Sequence, residues 1–472
     1  MEKEQCQHCQ GKEELLRKLD LLLRTGQILM DSSADTSRVR RNMERAAAFL
    51  GLPKEELNIK IDYYMLTVNL SDEYHSYTKM KVCNKHGINM EAIQDISKLT
   101  WSAIKDDYSL DQYEERLEAI AHRKRRYSDW AVAIGAGFAC GGFCIQFGCD
   151  WTAFFYCSIA AILGNRFRMY LNKKGSNIYA NIAIAAFIST LLAWLSTFIS
   201  TPQVMAYIPK PLQPLFSSTT PWHPMLACAL FIVPGVPLIN SVSDLLDNHI
   251  GTGLVRATNT VLMIVAMAFG IAFAIKVCGI DSFVHNLSMT PHHTFGEFAL
   301  AAAISAMGFA TIFNIPYRLQ PWVAIGGIIA VCSRNFVNLG PSNGNIGLDM
   351  GLAIGTLAGA CLISVINIKA VHSFHTPHQC ITIPAVIPMV PGVLMYRALY
   401  GFIGMTGVVG ELTFAMHNMV MGTLVLLCIA IGVDIPNIFM RQWIAPNRKR
   451  KLETLIAERK AKGKFVDLNE VG

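Results

Sequence analysis

The sequence predicts an all-α polytopic membrane protein, with about ten transmembrane helices in a 5+5 inverted repeat and a small N-terminal cytoplasmic α/β domain. Three observations carry this prediction. Charge is segregated: residues 1–127 hold 42 of the 75 Asp, Glu, Lys and Arg, residues 441–472 hold 13, and the 313 residues between them hold 20. That charge-poor region contains ten apolar stretches, each long enough to cross ~30 Å of hydrocarbon at about 1.5 Å per residue. A VPGV tetrapeptide occurs twice, at 233–236 and 390–393, in the fourth stretch of each set of five.

Composition narrows the function classes. Of 472 residues, 52% are hydrophobic and 16% charged, against about 25% charged in an ordinary soluble chain. The net charge of +7 comes largely from short basic runs beside apolar segments. It therefore points to the cytoplasmic edge of a bilayer and not to nucleic acid. The start, MEKEQCQHCQGKEELL, has no apolar core, so neither a secretory signal nor an anchor is expected there. Ten of the thirteen cysteines lie in or beside apolar segments, where Cys behaves as a small hydrophobe; no disulfide framework is expected.

Residues 1–127 form the predicted α/β domain. Helical spacing covers 13–30 and 36–50, the second preceded by the cap Asp35-Thr36-Ser37. Residues 57–83, rich in Ile, Tyr, Val and Thr, predict two or three strands, and helical spacing returns over 90–104 and 110–122. The domain ends at His122-Arg123-Lys124-Arg125-Arg126.

Membrane half 1 is assigned to 128–282, with spans near 129–148, 150–169, 178–200, 223–244 and 254–280. Half 2 is assigned to 295–440, with spans near 296–315, 320–337, 349–369, 380–400 and 413–437, and a basic cytoplasmic tail follows at 441–472. If residue 127 is cytoplasmic, the inside connections collect sixteen Lys and Arg, and the other side has four: Lys210, Lys276, Arg334 and Arg397. This bias places both termini in the cytoplasm, in a multi-pass protein of the plasma membrane. The second spans also match loosely, ending in Gly164-Asn165-Arg166-Phe167 and Ser333-Arg334-Asn335-Phe336. Because five is odd, the second half enters the bilayer from the opposite side.

The VPGV segments are the first candidates for a solute site. Pro234 and Pro237 lack an N–H, and Gly235 adds backbone freedom; Pro388, Pro391 and Gly392 repeat the pattern. A helix broken within the membrane must bury its freed backbone groups in protein or line a hydrated cavity. The competing explanation is a kink used only for packing. Asn240, Asp244 and Asp247 share one helix face after the first break, and His249 lies just beyond. Intramembrane carboxylates are costly, so Asp244, then Asp247, are the candidate proton carriers, with His249 beside them; the alternative is a solvated loop. Arg397 stands where Asn240 stands in the first half and would hold a substrate carboxylate or anchor at the interface. Glu411, with His417 and Asn418, opens the last span and would pair with Arg397, titrate, or serve a loop. For Asn259 and Asn367 a helix–helix hydrogen bond is expected, and close packing for Gly137-x3-Gly141 and Gly351-x3-Gly355-x3-Gly359.

Cys6-x2-Cys9 and Cys83-x2-His86 have local zinc-ligand spacing, but 73 residues separate the pairs, and unliganded thiols are expected. No Walker motif, nucleophile elbow or dinucleotide fingerprint occurs. No metal, cofactor or catalytic residue is expected.

VPGVPLINSVSDLLDNHIGTGLVR (233–256), KVCNKHGINMEAI (81–93) and AVIPMVPGVLMYRALYG (385–401) resemble the threonine/serine exporter family. The resemblance covers nearly the whole chain, in the form that fuses two parts some bacteria encode separately. It implies ten spans and export of small hydrophilic metabolites: threonine and serine, or, for split-gene relatives, succinate-like dicarboxylates. The family pattern falls on Pro234, Gly235, Pro237, Asn240, Asp244, His249, Thr252, Gly253, Pro388, Pro391 and Gly392, and assigns no role to any of them.

The expected function is secondary export of threonine and serine by proton antiport. Its partners are then an amino-acid or dicarboxylate substrate, a proton gradient and the lipid bilayer, with no nucleic acid; a homo-oligomer is compatible. A reading of another class is a membrane-anchored sensor or enzyme acting through the N-terminal domain.

Overall fold

A computed structural model describes residues 2–280, 293–341, 346–374, 376–403 and 409–466; within these, the side chains of 2–10, 370–374, 403, 437, 438 and 440–449 fall outside the description. The chain is mostly helical and divides into two compact units. One comprises Met1–Arg125, Asn240–Arg256 and Ile438–Gly472, and the other Arg126–Ile239 and Ala257–Asn437.

In the first unit, α1 (Glu2–Asp31) and α2 (Thr36–Leu50) precede β1 (Leu57–Ile61), β2 (Met65–Ser71) and β3 (Ser76–Val82), followed by α3 (Met90–Lys105) and α4 (Leu110–Ala121). The strands form an antiparallel meander in the order β1-β2-β3, with Leu57 opposite Leu70 and Met65 opposite Val82. Alternation on β2 buries Leu66, Val68 and Leu70, the period-two pattern of a half-covered sheet. Leu15, Leu19 and Leu22 on α1, Met43 and Phe49 on α2, Ile96 on α3 and Tyr113 on α4 complete the core. The Tyr113 hydroxyl shares a 2.8 Å hydrogen bond with Thr25 Oγ1, which gives its buried polar end a partner.

Helix α1 starts eleven residues before the predicted 13–30. Apolar spacing begins only at Leu15, while the preceding Glu, Gln and Lys extend the helix through propensity alone. Asp35 caps α2 by accepting from the Arg38 N–H at 2.8 Å, and Ser109 and Gln112 form a reciprocal capping box on α4.

Five described helices are long and apolar enough to cross a membrane: Ile178–Ser200, Ile250–Val277, Phe295–Ile312, Leu352–Lys369 and Val409–Pro436. Two bent pairs, Pro224–Ile232 with Gly235–Leu246 and Gln379–Met389 with Gly392–Phe402, make seven if each counts as one span. Three more helices, α5 (Asp129–Gln146), α6 (Trp151–Lys173) and Gln320–Asn338, pack among them. Small residues set the spacing. A Cβ on Gly135 would meet the Gly308 carbonyl oxygen at 3.0 Å, and one on Gly355 would meet that of Arg334 at 2.5 Å, so side chains are excluded where these helices cross. Phe155, Ile159 and Leu163 form an exposed apolar row on α6 suited to lipid.

The last helix runs from Val409 to Ala461, so the region predicted as a tail begins as helix. The end of this helix and the described residues after it pack within the first unit. Val466 donates to the Gly51 carbonyl at 2.8 Å, and Arg459 to that of Phe49 at 2.6 Å. Gly51 is left-handed (φ 73°), and a Cβ there would run into the Lys464 carbonyl.

Candidate functional site

The two VPGV segments break their helices in the same way. A 3-10 turn, Leu230–Ile232 or Ile387–Met389, leads into an extended Val233 or Val390, and a new helix starts at Gly235 or Gly392. The bends are 59° and 49°. At each break the glycine amide bonds the carbonyl two residues back at 2.8 Å, Gly235 to Val233 and Gly392 to Val390. The prolines explain why: Pro234 and Pro391 have no N–H to continue the helical ladder.

The breaks face each other. A Cβ on Gly235 would lie 2.6 Å from Ile387 Cδ1 and 3.5 Å from Val390, and one on Gly392 would lie 2.8 Å from Leu230 Cδ2 and 3.2 Å from Val233. Pro234 and Pro391 are buried and Pro237 half-buried. One turn past Gly392, the Tyr396 hydroxyl is buried with no hydrogen-bond partner among the described residues, an unsatisfied donor next to the second break. Arg397 beside it is half-buried. Glu411 is half-buried near the start of the last helix, and His417 is exposed.

A second cluster lies wholly within the first unit. Helix Gly235–Leu246 ends, Asn248 turns left-handed (φ 64°), and Ile250 starts the next helix. Close approach of the two helices relies on Gly253, where a Cβ would lie 3.0 Å from the Ser241 carbonyl oxygen. The turn brings Arg256 Nε to 3.2 Å from Asp244 Oδ2, with the side chains 3% and 1% exposed. The contact is an ion pair without hydrogen-bond alignment, since Nε and Oδ2 make no hydrogen bond. Asp244 Oδ1 instead accepts from the Thr36 N–H at 2.9 Å.

The neighbouring residues fasten the same loop. Asn240 Nδ2 donates to the Ser33 carbonyl at 2.8 Å, Arg256 Nη2 to that of Ala34 at 3.2 Å, and Thr252 Oγ1 to that of Ile61 at 3.1 Å. Ser37 Oγ donates to Asp247. The helix face shared by Asn240, Asp244 and Asp247 thus grips the 33–37 loop, since all three side chains reach it. His249 stays half-exposed in the turn.

Charge in this cluster is tightly set. Burial would raise the Asp35 carboxyl, but Arg38 and Arg41, with the Arg38 hydrogen bonds, hold it at about 2. Burial and the Arg256 charge push His86 down to about 4. The His86 ring stacks on Tyr63 at 4.0 Å, and the Arg256 guanidinium lies 5.6 Å from the same Tyr63 centroid. Burial also pushes the Cys83 thiol up to about 12. Among the described residues no group of three or more His, Cys, Asp or Glu is arranged for a metal; the Cys6 and Cys9 side chains lie outside them. Sequence spacing did not single out Arg256, Tyr63 or the 33–36 loop. The run Asp35-Thr36-Ser37 was visible only as a helix cap.

Residues 20–278 match the sequence profile described as "Putative threonine/serine exporter", and residues 298–439 match "Threonine/Serine exporter, ThrE". The chain belongs to the threonine/serine exporter family. Similar proteins include the "Probable succinate transporter subunit YjjP" of Escherichia coli, 26% identical over 56% of this chain and 96% of that protein. A Mycobacterium tuberculosis "Probable threonine/serine exporter" is 21% identical over 81% of this chain and 70% of its own length. No solved structure matches. As a threonine/serine exporter family member with several apolar helices, the chain is a multi-pass membrane protein. It carries both family regions, and hence both breaks, in one polypeptide.

Proposed function

We propose that this family member is a secondary exporter of small hydrophilic metabolites, with threonine and serine as substrates and proton antiport as the driving reaction. One observation carries the reading: the reciprocal packing of the Gly235 and Gly392 breaks. Broken helices meeting within a membrane put adjustable backbone beside a path for solute. Ten spans in a 5+5 inverted repeat fit this arrangement. Helices of 18, 23 and 19 residues at Asp129–Gln146, Trp151–Lys173 and Gln320–Asn338 would be the three further spans of such a repeat. Gly135 against Gly308 pairs the first span of each half, and Gly235 against Gly392 pairs the fourth, as a two-fold axis requires.

In this reading Pro234, Gly235, Pro237, Pro391, Gly392 and Arg397 line the solute path. Asp244 takes up a proton only by giving up its ion pair with Arg256 at Oδ2, while Oδ1 remains an acceptor for the Thr36 amide, so protonation loosens the Arg256 side of the hairpin. Asp247 meets the 33–37 loop through Ser37, and His249 and Glu411 are the secondary titrating candidates. The Lys and Arg bias supports a plasma-membrane protein with both termini in the cytoplasm.

Export of a succinate-like dicarboxylate is the second reading, supported by the name and the coverage of the Escherichia coli relative. Threonine and serine come first because the Mycobacterium tuberculosis relative aligns across more of this chain. Reconstitution in liposomes tests both: counterflow of labelled serine, threonine and succinate is measured with and without a pH gradient. Serine and threonine are expected to exchange and to accumulate when the gradient is imposed. No movement of any of the three would reject both substrates.

A further inference from the structure

Arg334 is a buried cation with neutral partners. It lies on the Gln320–Asn338 helix, 8% exposed, beside Asn335 at 0% and Gln146, the last residue of α5, at 2%. Its Nε and Nη2 donate to Asn335 Oδ1 at 3.0 and 2.9 Å, and Nη2 donates to Gln146 Oε1 at 3.3 Å. Among the described residues it has no carboxylate within ion-pair distance, and its Nη1 makes no hydrogen bond. Gln146 Nε2 and Asn335 Nδ2 are buried without an acceptor among them.

Among the described residues the group therefore holds one positive charge with no counterion and two buried amide donors with no acceptor. Burying an uncompensated ion costs several kcal/mol or more, and each unsatisfied buried donor costs about 1–3 kcal/mol. Three other arginines are compensated: Arg256 faces Asp244, Arg459 faces Asp107, and Arg166, in the matching stretch of the first half, lies over the Trp130 ring at 5.3 Å. Arg168 also has a buried Nε with no partner among the described residues, but no buried amides gather around it. What would satisfy the Arg334 group is an anion with several acceptor lone pairs. A carboxylate meets that need, since guanidinium and amide donors bind it in charge-assisted hydrogen bonds.

The two helices that carry the group also touch the broken helices, at other positions along each. On α5, the Cys140 thiol meets the Phe231 amide at 3.2 Å at the first break, and Gln146 is six residues, ~9 Å of helical rise, further on. On the other helix, a Cβ on Gly326 would meet Ala385 of the second broken pair at 3.0 Å, and Arg334 is eight residues, ~12 Å of rise, beyond it.

We propose that Arg334, with Gln146 and Asn335, forms a seat for the carboxylate of the transported solute, a step away from the breaks on its path. This rests on the exporter reading and deepens it: the seat reads one carboxylate, common to an amino acid and to one end of a dicarboxylate. Among the described residues no acidic side chain stands in it to take an ammonium group, so the amino group of serine would not be read here.

Wild type, Arg334→Lys and Arg334→Met proteins in liposomes test the seat, through counterflow of labelled serine and of labelled succinate. Serine and serinamide, and succinate and succinamide, serve as unlabelled competitors. Wild type is expected to be inhibited by the carboxylates and not by the amides. Arg334→Met should raise the half-saturating concentration at least about tenfold, the loss of one charge-assisted contact, and lose that discrimination, with Arg334→Lys between. The two labels show which carboxylate source uses the seat. In detergent, excess serine or succinate should raise the melting temperature of wild type and not of Arg334→Met, which without ligand should melt at or above wild type. Unchanged saturation and discrimination in Arg334→Met would overturn the proposal. So would a ligand-free Arg334→Met protein that melts well below wild type, because the guanidinium would then be structural. If wild type moves no solute, the exporter reading fails; the melting shift then decides the seat separately, and its absence in wild type rejects it.

Discussion

Asp244 and Arg256 form a buried ion pair across the turn between two helices, and the Thr36 amide closes over it. The pair ties a helical hairpin to the loop that caps α2. Removing one member leaves the other charged and buried, which typically destabilises by about 3–5 kcal/mol. Asp244→Asn keeps the acceptor for Thr36 and removes the charge. It should abolish gradient-driven export while the protein still inserts, and it should lower the melting temperature less than Arg256→Gln does. Normal uphill export by Asp244→Asn would remove Asp244 from proton coupling.

The reciprocal glycines predict a compensating pair. A methyl at Gly235 overlaps Ile387 Cδ1, the end of a flexible side chain, so Gly235→Ala should cost about 1–3 kcal/mol and slow exchange. Ile387→Val removes the overlapping atom. The double variant should recover both melting temperature and exchange rate; a double variant as slow as Gly235→Ala would show that the glycine is needed for backbone freedom and not for space.

His86 predicts acid sensitivity. The folded state holds this ring neutral, with its pKa at about 4 against 6.5 for the free side chain. The unfolded chain therefore binds the proton first, and the stability that His86 contributes is complete above pH 6.5 and lost as pH falls toward 4. Thermal melts from about pH 7.5 to about pH 4.5, which bracket that window, should show a steeper decline in wild type than in His86→Gln. Parallel curves would mean that other groups govern this range.

Gly51 predicts control of the C-terminal segment. An alanine there meets both the left-handed backbone and the Lys464 carbonyl, a penalty of about 1 kcal/mol or more from conformation alone. Gly51→Ala should release the segment, seen as faster trypsin cleavage at Lys462 and Lys464 and loss of hydrogen-exchange protection at Val466. Unchanged cleavage would show that the Asp107 bridges to Arg459 and Lys464 suffice to hold it.

Much of this was legible in the sequence because it depends on short-range rules. Proline has no N–H wherever it stands, so Pro234 and Pro391 marked both breaks. The cap at Asp35 and the strand-forming run over 57–83 depend on neighbours within a few residues. The family resemblance rested on the same short motifs.

Partner choice was not local. The spacing of Asn240, Asp244 and Asp247 put them on one face but left that face without an object; the tertiary structure gives it the 33–37 loop, more than 200 residues earlier in the chain. Arg334 stood in a tally of basic residues until folding set Gln146, 188 residues away, against it. By itself the sequence determined where helices form, break and start again, because backbone hydrogen bonding and side-chain periodicity are decided within a turn or two. Only the tertiary structure decided which charges are neutralised and which stay without a counterion, because burial and pairing are set by whichever elements packing brings together.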